Sequence, residues 1–388
     1  MKNTSDSKIS CKLCETQKVN SATLELENLP TVAQFYPTDA SHSRLMLGTI
    51  FVWQCEFCGL TQIANRPVPY FKEVIRATKV SGEMLKARDK QFAEFIEKYG
   101  LQESKIIEVG CGAGENLAIL GQHCSASYGI EYSQVNVDQC KNLNLPVQKG
   151  FPSFDDGHFE HGPFDAFFSF NVLEHVTNPR EWLQVINQNL NPGGVGIVEV
   201  PNFDMIEKDG LTTEFVTEHL MYFTRETLRL MLEINGFQVL SIESKFANYV
   251  LSAHVKKRSA GNFTKFIDFL DRMTVLTQNL KTKFPEKGLA IWGAGHQSLA
   301  FINQFQLSEH VNFIVDSAKS KQGKFAPGTE LEIRNPEVLT TNKGVRCILV
   351  IAAGYNDEIV QILKSTWLKE GRTIYTVWQD SIEEIDAS

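Results

Sequence analysis

The stretch Ile106-Ile107-Glu108-Val109-Gly110-Cys111-Gly112-Ala113-Gly114-Glu115-Asn116-Leu117 reads as a buried strand that runs through a glycine turn into a helix. Glycines at alternate positions 110, 112 and 114 leave backbone without side-chain bulk, so a ligand can lie against the turn at the helix N-terminus. A dinucleotide loop spaces its glycines G-x-G-x-x-G and leaves its strand uncharged. Here Glu108 comes first, where it repels a pyrophosphate and attracts a cation. A ligand cationic at one end and nucleoside at the other fits, and S-adenosylmethionine (SAM) is such a ligand.

Working outward, Tyr128-Gly129-Ile130-Glu131-Tyr132 places an acid at the end of the next strand. A carboxylate there accepts both ribose hydroxyl hydrogens. Phe167-Phe168-Ser169-Phe170-Asn171-Val172-Leu173-Glu174-His175 forms the opposite wall, with Glu174 and His175 readable equally as plain helix-start residues. Strands are expected at 105–109, 127–131, 164–170, 195–200, 239–243 and 248–255. Helices are expected near 114–121, 133–142, 180–190 and 225–235. This alternation is that of a doubly wound α/β domain with a mostly parallel sheet. Asn191-Pro192-Gly193-Gly194 reads as the turn into the fifth strand.

On the N-terminal side, Phe71, Val74, Ile75, Met84, Leu85, Phe92, Phe95 and Ile96 recur at helical spacing over 71–100. On the C-terminal side, Phe266, Ile267, Phe269, Leu270, Met273, Leu276 and Leu280 give 263–283 one apolar face. A second α/β unit follows, with strands at 288–292 and near 311–315, 346–352 and 373–378. The expected domains are 1–70, a small zinc-binding module; 71–102, a helical connector; 103–257, the SAM-binding α/β domain; and 258–388, a Rossmann-like α/β domain that meets the substrate.

Cys11-Lys12-Leu13-Cys14 and Cys55-Glu56-Phe57-Cys58 are two C-x-x-C knuckles. Each sets two thiolates on one side of a tight turn, and two knuckles complete a tetrahedral Zn²⁺ shell with no open position, which is a structural site. A redox dithiol is the competing reading, but neither pair sits on a βαβ pattern. Cys111, Cys124, Cys140 and Cys347 read as isolated core residues.

The 388 residues carry a net charge of −8, which disfavours nucleic acid and anionic membranes as partners. No apolar run is long enough to span a bilayer, and Met1 to Asp6 is polar with no signal-peptide core. A cytoplasmic enzyme with reduced thiols and a small-molecule substrate is expected. The 26 Phe point to aromatic-rich cores or pockets.

After the fifth strand, Val200-Pro201-Asn202-Phe203 is followed by Glu214-Phe215-Val216-Thr217-Glu218-His219-Leu220-Met221-Tyr222-Phe223-Thr224, with Thr224 as the N-cap of the next helix. The Glu218-His219 pair falls near the carboxyl edge of the sheet, where ligands bind. His219 can take a proton, and an adjacent carboxylate can support the imidazolium. Methyl transfer to carbon needs such a base, because a C–H bond beside an electron sink must break; transfer to oxygen also benefits from one.

The Glu108-x-Gly-x-Gly-x-Gly stretch, Glu131 and Phe170–Val176 resemble class I SAM-dependent methyltransferases over roughly 104–255. That resemblance implies that Gly110 and Gly112 contact the methionine part, Glu131 the ribose, and Asn171 the region near the sulfonium. Over nearly the whole chain, the order of modules resembles the nucleotide-sugar C-methyltransferases of deoxysugar biosynthesis. The likeness is carried by the four cysteines, by Asn28-Leu29-Pro30 ahead of Ala33-Gln34-Phe35, and by the Glu218-His219-x-x-Tyr222-Phe223 segment. It extends to Asp316…Lys321-Gln322-Gly323-Lys324-x-x-Pro327-Gly328 and to Gly354-Tyr355-Asn356-Asp357-Glu358-Ile359. It implies that His219 removes a proton beside a sugar ketone and that the enolate attacks the SAM methyl. Glu218 then tunes or orients His219, and Tyr222 lines the pocket. In the C-terminal domain, which the resemblance has closing over the nucleotide-sugar, His296, Lys324 and Tyr355 are the substrate contacts.

The chain departs from that pattern twice. The family's tyrosines and serines are replaced by Val74-Ile75-Arg76-Ala77-Thr78-Lys79-Val80-Ser81. The C-terminal turn is Gly293-Ala294-Gly295-His296-Gln297-Ser298, with Gln297 where a phosphate-binding Lys is expected. The competing readings are an O-methyltransferase acting on a sugar or other small metabolite, a non-catalytic SAM-binding scaffold, and a dehydrogenase that uses the 293–298 turn with Asp316 as its ribose acid. Lys319, Lys321 and Lys324 read either as diphosphate contacts or as a solvated basic loop.

Overall fold

Strands buried on both faces form the centre of each half of the chain, as parallel sheets covered by helices require. The computed structural model describes residues 9–17, 23–33, 36–73, 81–368, 371–379 and 381–385. The expectations placed on Met1 to Asp6, on Gln34 and Phe35 and on Val74 to Val80 lie outside the described residues. The chain divides into two compact units, 1–260 and 261–388.

In the first unit, β1 (Thr23–Pro30), β2 (Leu47–Gln54) and β3 (Thr61–Ile63) make an antiparallel sheet. The helix expected over 71–100 is a 3₁₀ turn at Phe71–Glu73 and a helix α1 (Gly82–Tyr99). Ser81 caps α1 by accepting from Met84 N, and left-handed Gly100 ends it. Then follow β4 (Lys105–Val109), α2 (Glu115–Leu120), β5 (Ala126–Glu131), α3 (Gln134–Asn142), β6 (Val147–Lys149) and β7 (Phe164–Phe170). The unit continues through α4 (Pro179–Gln188), β8 (Leu190–Pro201), α5 (Phe203–Asp209), β9 (Met221–Tyr222), α6 (Arg225–Ile234), β10 (Phe237–Lys245) and β11 (Val250–Lys257). The large sheet has the order β10-β11-β8-β7-β4-β5-β6, parallel from β8 to β6 and antiparallel over its last two strands. Asn191 to Gly194 lie inside β8, where the register slips between Phe164 and Ala166, rather than in a separate turn. Phenylalanines fill the α1 side: the Phe168 ring lies 4.9 Å from Phe92 and 5.1 Å from Phe95.

The cysteine-bearing segment does not form a unit of its own. β9 adds to the edge of β3, pairing Thr61 with Tyr222 and Gln62 with Met221, so the small sheet has the order β1-β2-β3-β9. Cys11, Leu13, Trp53, Cys55 and Leu60 share one core with Trp182 of α4 and Leu228 of α6. A module that small buries too little apolar surface alone, and here it borrows the surface of the larger domain.

The second unit runs α7 (Thr264–Lys283), β12 (Leu289–Trp292), α8 (His296–Gln304), β13 (Val311–Val315), β14 (Ile333–Arg334), β15 (Cys347–Val350), α9 (Asn356–Thr366), β16 (Thr373–Trp378) and β17 (Ser381–Glu384). Its sheet order is β14-β13-β12-β15-β16-β17, parallel except for β17. Of the apolar face expected on α7, Met273 and Leu280 are buried, whereas Phe266 and Ile267 are exposed. No helix among the described residues is long and apolar enough to cross a membrane.

Candidate active site

The turn between β4 and α2 holds three left-handed glycines, Gly110 (φ 76°), Gly112 (φ 56°) and Gly114 (φ 90°), and each has a different reason. A Cβ on Gly110 would lie 2.7 Å from Val172 Cγ2, and one on Gly114 would lie 2.5 Å from Leu145 Cδ1. A Cβ on Gly112 would meet nothing within 4 Å, and Gly112 lines a cavity of about 920 Å³. The backbone at Gly112 is thus bared toward the cavity, as close approach of a ligand requires.

Glu131, at the end of β5, lines the same cavity. Its Oε2 accepts from Gly112 N at 2.9 Å and its Oε1 from Ser133 N at 2.8 Å. These bonds aim the carboxylate and leave each oxygen a lone pair for a diol. Tyr132 and Phe151 wall that end, with the Lys72 ammonium 5.2 and 5.0 Å from their ring centres. Asn171 lines the cavity in a left-handed conformation (φ 53°), pinned by its N–H donating to Glu199 O at 2.8 Å. The bared Gly112, the aimed Glu131 and Asn171 fit a nucleoside with an amino-acid tail.

Glu108 departs from its expected place. It is buried, accepts from Asn116 Nδ2 at 3.1 Å, and does not line the cavity. Alternate residues of a strand point to opposite sides, and this one points beneath the helix start, where an anion stabilises the N-terminus. Cys111 and Cys140 are not isolated either: both thiols meet the Gly112 carbonyl, Cys140 Sγ donating to it at 3.4 Å and Cys111 Sγ lying 3.9 Å away.

Glu174, His175 and His219 line the same cavity. His175 Nδ1 lies 2.9 Å from Glu218 O. A carbonyl only accepts, so Nδ1 carries the hydrogen and Nε2 the lone pair. The His175 and His219 rings meet edge to face, 4.7 Å between centres. Burial pushes His175 down to about 4, and burial with the nearby His175 pushes His219 down to about 3, so both are neutral imidazoles near pH 7. Burial pushes Glu174 up to about 8.

Glu218 does not address His219 with its carboxylate. That group accepts from Tyr70 Oη at 2.9 Å, from Thr217 Oγ1 at 3.1 Å, and from Ala33 N. Neighbouring residues of a turn diverge, so Glu218 reaches His219 through its carbonyl on His175. Tyr222 does not line the pocket. It packs against Phe203 and Phe215, and its Oη accepts from Val216 N at 2.9 Å, propping the loop that leads to Glu218. Tyr70, which the sequence reading passed over, is the tyrosine that touches the Glu218-His219 segment. Its only signal in the sequence is its position just ahead of the 74–81 departure.

The thiols of Cys11, Cys14, Cys55 and Cys58 converge, with Cys11 and Cys58 sulfurs 3.5 Å apart and Cys14 and Cys55 sulfurs 3.5 Å apart. Tetrahedral zinc with Zn–S near 2.3 Å sets sulfurs about 3.8 Å apart, so the four thiolates fit that ion. The Cys58 thiol's hydrogen bond holds Cys11 down to about 4, ready to ligate as thiolate. Gln62 links the cluster to β9: its side chain accepts from Lys12 N at 3.1 Å and donates to Cys11 Sγ at 3.2 Å, and its backbone pairs with Met221.

In the second unit, His296 begins α8 after β12, Lys324 follows β13, and Tyr355 follows β15. These strands are parallel, so all three residues fall at one carboxyl edge, and all three are exposed. Asp316, the ribose acid of the dinucleotide reading, carries an ion pair that Glu131 lacks among the described residues. That carboxylate already accepts from Ala294 N and Ala318 N, each at 2.8 Å, and pairs with Lys321 Nζ at 2.9 Å. With Lys321 engaged there, it is not available as a free diphosphate contact.

Residues 84–242 match a family described as a methyltransferase domain, and residues 254–377 match a C-methyltransferase C-terminal domain. The chain is 22% identical over 313 residues to the C-methyltransferase NovU of Streptomyces niveus, covering 73% of this chain and 74% of that protein. It is 30% identical over 105 residues to a ubiquinone biosynthesis O-methyltransferase of Maricaulis maris, covering 25% of this chain and 41% of that protein. Among solved structures, a SAM-dependent methyltransferase from Clostridium acetobutylicum superposes with a TM-score of 0.39 at 12% identity, over 47% of this chain and 94% of that one.

Proposed function

Because the chain belongs to the SAM-dependent methyltransferases that carry a C-methyltransferase C-terminal domain, we propose that it methylates a carbon of a nucleotide-linked ketosugar, with His219 as the base. The observation that carries this reading is the His219 imidazole, half-buried and lining the same cavity as Gly112 and Glu131.

Gly110 and Gly112 hold the methionine part of SAM, Asn171 lies near its sulfonium, and Glu131 holds its ribose. Bound there, SAM supplies an electrophilic methyl group. His219 enters in the base form because burial disfavours its cation. Its imidazole takes the proton from the carbon beside the ketone and holds it. A ring nitrogen of His219 lies within 4.8 Å of a Glu174 carboxylate oxygen, whose negative charge would support the imidazolium. Glu218 and Tyr70 position the segment rather than touch the reacting carbon.

One zinc held by Cys11, Cys14, Cys55 and Cys58 fixes the small sheet that pairs with β9 and so sets the register of His219.

The test is incubation with labelled SAM and a panel of nucleotide-ketosugars, read by mass and by product NMR. A new C–CH₃ is expected. An O–CH₃ product overturns the carbon acceptor. His219→Asn should lose turnover while keeping SAM affinity in calorimetry, and retained turnover removes His219 as the base.

A further inference from the structure

We propose that Glu174, His175 and His219 form a second metal site, which takes a divalent transition-metal ion of the Zn²⁺ or Co²⁺ type and shuts off proton abstraction when filled. One carboxylate and two imidazoles are a donor set that zinc and its neighbours accept. One ligand atom from each residue lies within 4.8 Å of the others, and His175 Nε2 is 3.9 Å from Glu174 Oε1. Ligands about 2.1 Å from a tetrahedral ion sit roughly 3.4 Å apart. A turn of the Glu174 carboxyl and of the His219 ring closes that difference.

Two observations point to a ligand independently of the clustering. Glu174 is 1% exposed, and neither carboxylate oxygen has a hydrogen-bond partner among the described residues. A buried carboxylate without partners is costly, and a cation relieves that cost. His175 donates its Nδ1–H to the Glu218 carbonyl at 2.9 Å, which presents Nε2 as a lone pair. A backbone carbonyl behind the imidazole is the usual support of a metal-bound histidine.

The site differs in kind from the four-thiolate cluster. All three residues line the cavity, so an ion there keeps positions open for water or a substrate oxygen. It also occupies the His219 lone pair. The inhibitory half of the proposal therefore rests on His219 being the base, whereas the binding half does not.

The experiment adds Co²⁺ to full-length protein whose four-thiolate site is already filled with zinc. A second equivalent is expected by calorimetry, with the visible d–d bands of a nitrogen–oxygen site and none of the sulfur charge-transfer absorption that thiolates give. Glu174→Gln and, separately, His175→Gln should each weaken that equivalent more than about tenfold, while circular dichroism shows the fold retained. Absence of the second equivalent, or its survival unchanged in both variants, overturns the site. C-methylation by the wild type should fall as Co²⁺ or Zn²⁺ fills the site and return on brief chelation. Binding without inhibition overturns the inhibitory half and His219 as the base, yet leaves the metal site standing. No binding, alongside a dead His219→Asn variant, overturns the metal site and leaves the base standing.

Discussion

The Tyr70 phenol donates to Glu218 Oε1 at 2.9 Å, across 148 residues of sequence. The bond ties the chain that leaves the small sheet to the turn carrying His219, and Glu218 is buried beneath it. Burial and the neighbouring Glu218 both push the Tyr70 phenol up, so it remains a donor across the working pH range.

Tyr70→Phe removes a donor from a buried carboxylate and should cost about 1–3 kcal/mol of stability. Turnover should fall while affinity for SAM stays, because neither Tyr70 nor Glu218 lines the cavity that Glu131 and Gly112 share. Thermal melts and calorimetry beside steady-state rates check this, and equal losses of affinity and rate would contradict it.

The glycines of the turn should separate. Gly112→Ala puts a methyl into open space beside the cavity at φ 56°, so backbone strain of about 1–2 kcal/mol is its stability cost. Affinity for SAM or its demethylated product should drop about tenfold or more, the equivalent of about 1.4 kcal/mol. Gly114→Ala drives a methyl to 2.5 Å from Leu145 Cδ1, and should lose a further 1–3 kcal/mol or so of stability through overpacking. Melting curves and titrations of both variants test the contrast.

Metal analysis should give one zinc per chain as isolated. Cys14→Ser should release it, loosen the pairing of Gln62 with Met221, and lower turnover more than SAM affinity. A zinc-free variant with full turnover would show that the small sheet does not set the position of His219.

The buried acid and the two histidines give opposite pH limbs. Glu174 is raised from 4.5 to about 8, so its contribution to stability is complete below 4.5 and is lost as pH rises through 8. His175 and His219 are depressed from 6.5 to about 4 and about 3, so theirs is present above 6.5 and is lost as pH falls through those values. Glu174→Gln should therefore raise the melting temperature increasingly on the alkaline side and leave the acid limb in place. Melts of both proteins across pH, without added transition metal, measure this.

The alternation of apolar runs and glycine turns was enough to place β4, β5, β7, β13 and β16 nearly to the residue, because strands buried on both faces carry a continuous apolar signal. The stretch 1–70, read as irregular, hid β1 and β2, eight residues each, and short elements escaped as well. β6, β9 and β14 have two or three residues each, too few for any period, and exist because a neighbouring strand offers an edge.

By itself, the sequence determined the glycine turn, the acid at the end of β5, the four thiols and the presence of a histidine near the sheet edge, because each is a local pattern of residue types. Only the tertiary structure decided that Glu108 supports the turn from beneath, that Glu218 answers to Tyr70 and His175, and that Tyr222 is a prop. Direction of a side chain and the company it keeps depend on which distant segments pack together. Pairing of β3 with β9 brings the cysteine knuckles to the base, and no spacing in the chain encodes that contact.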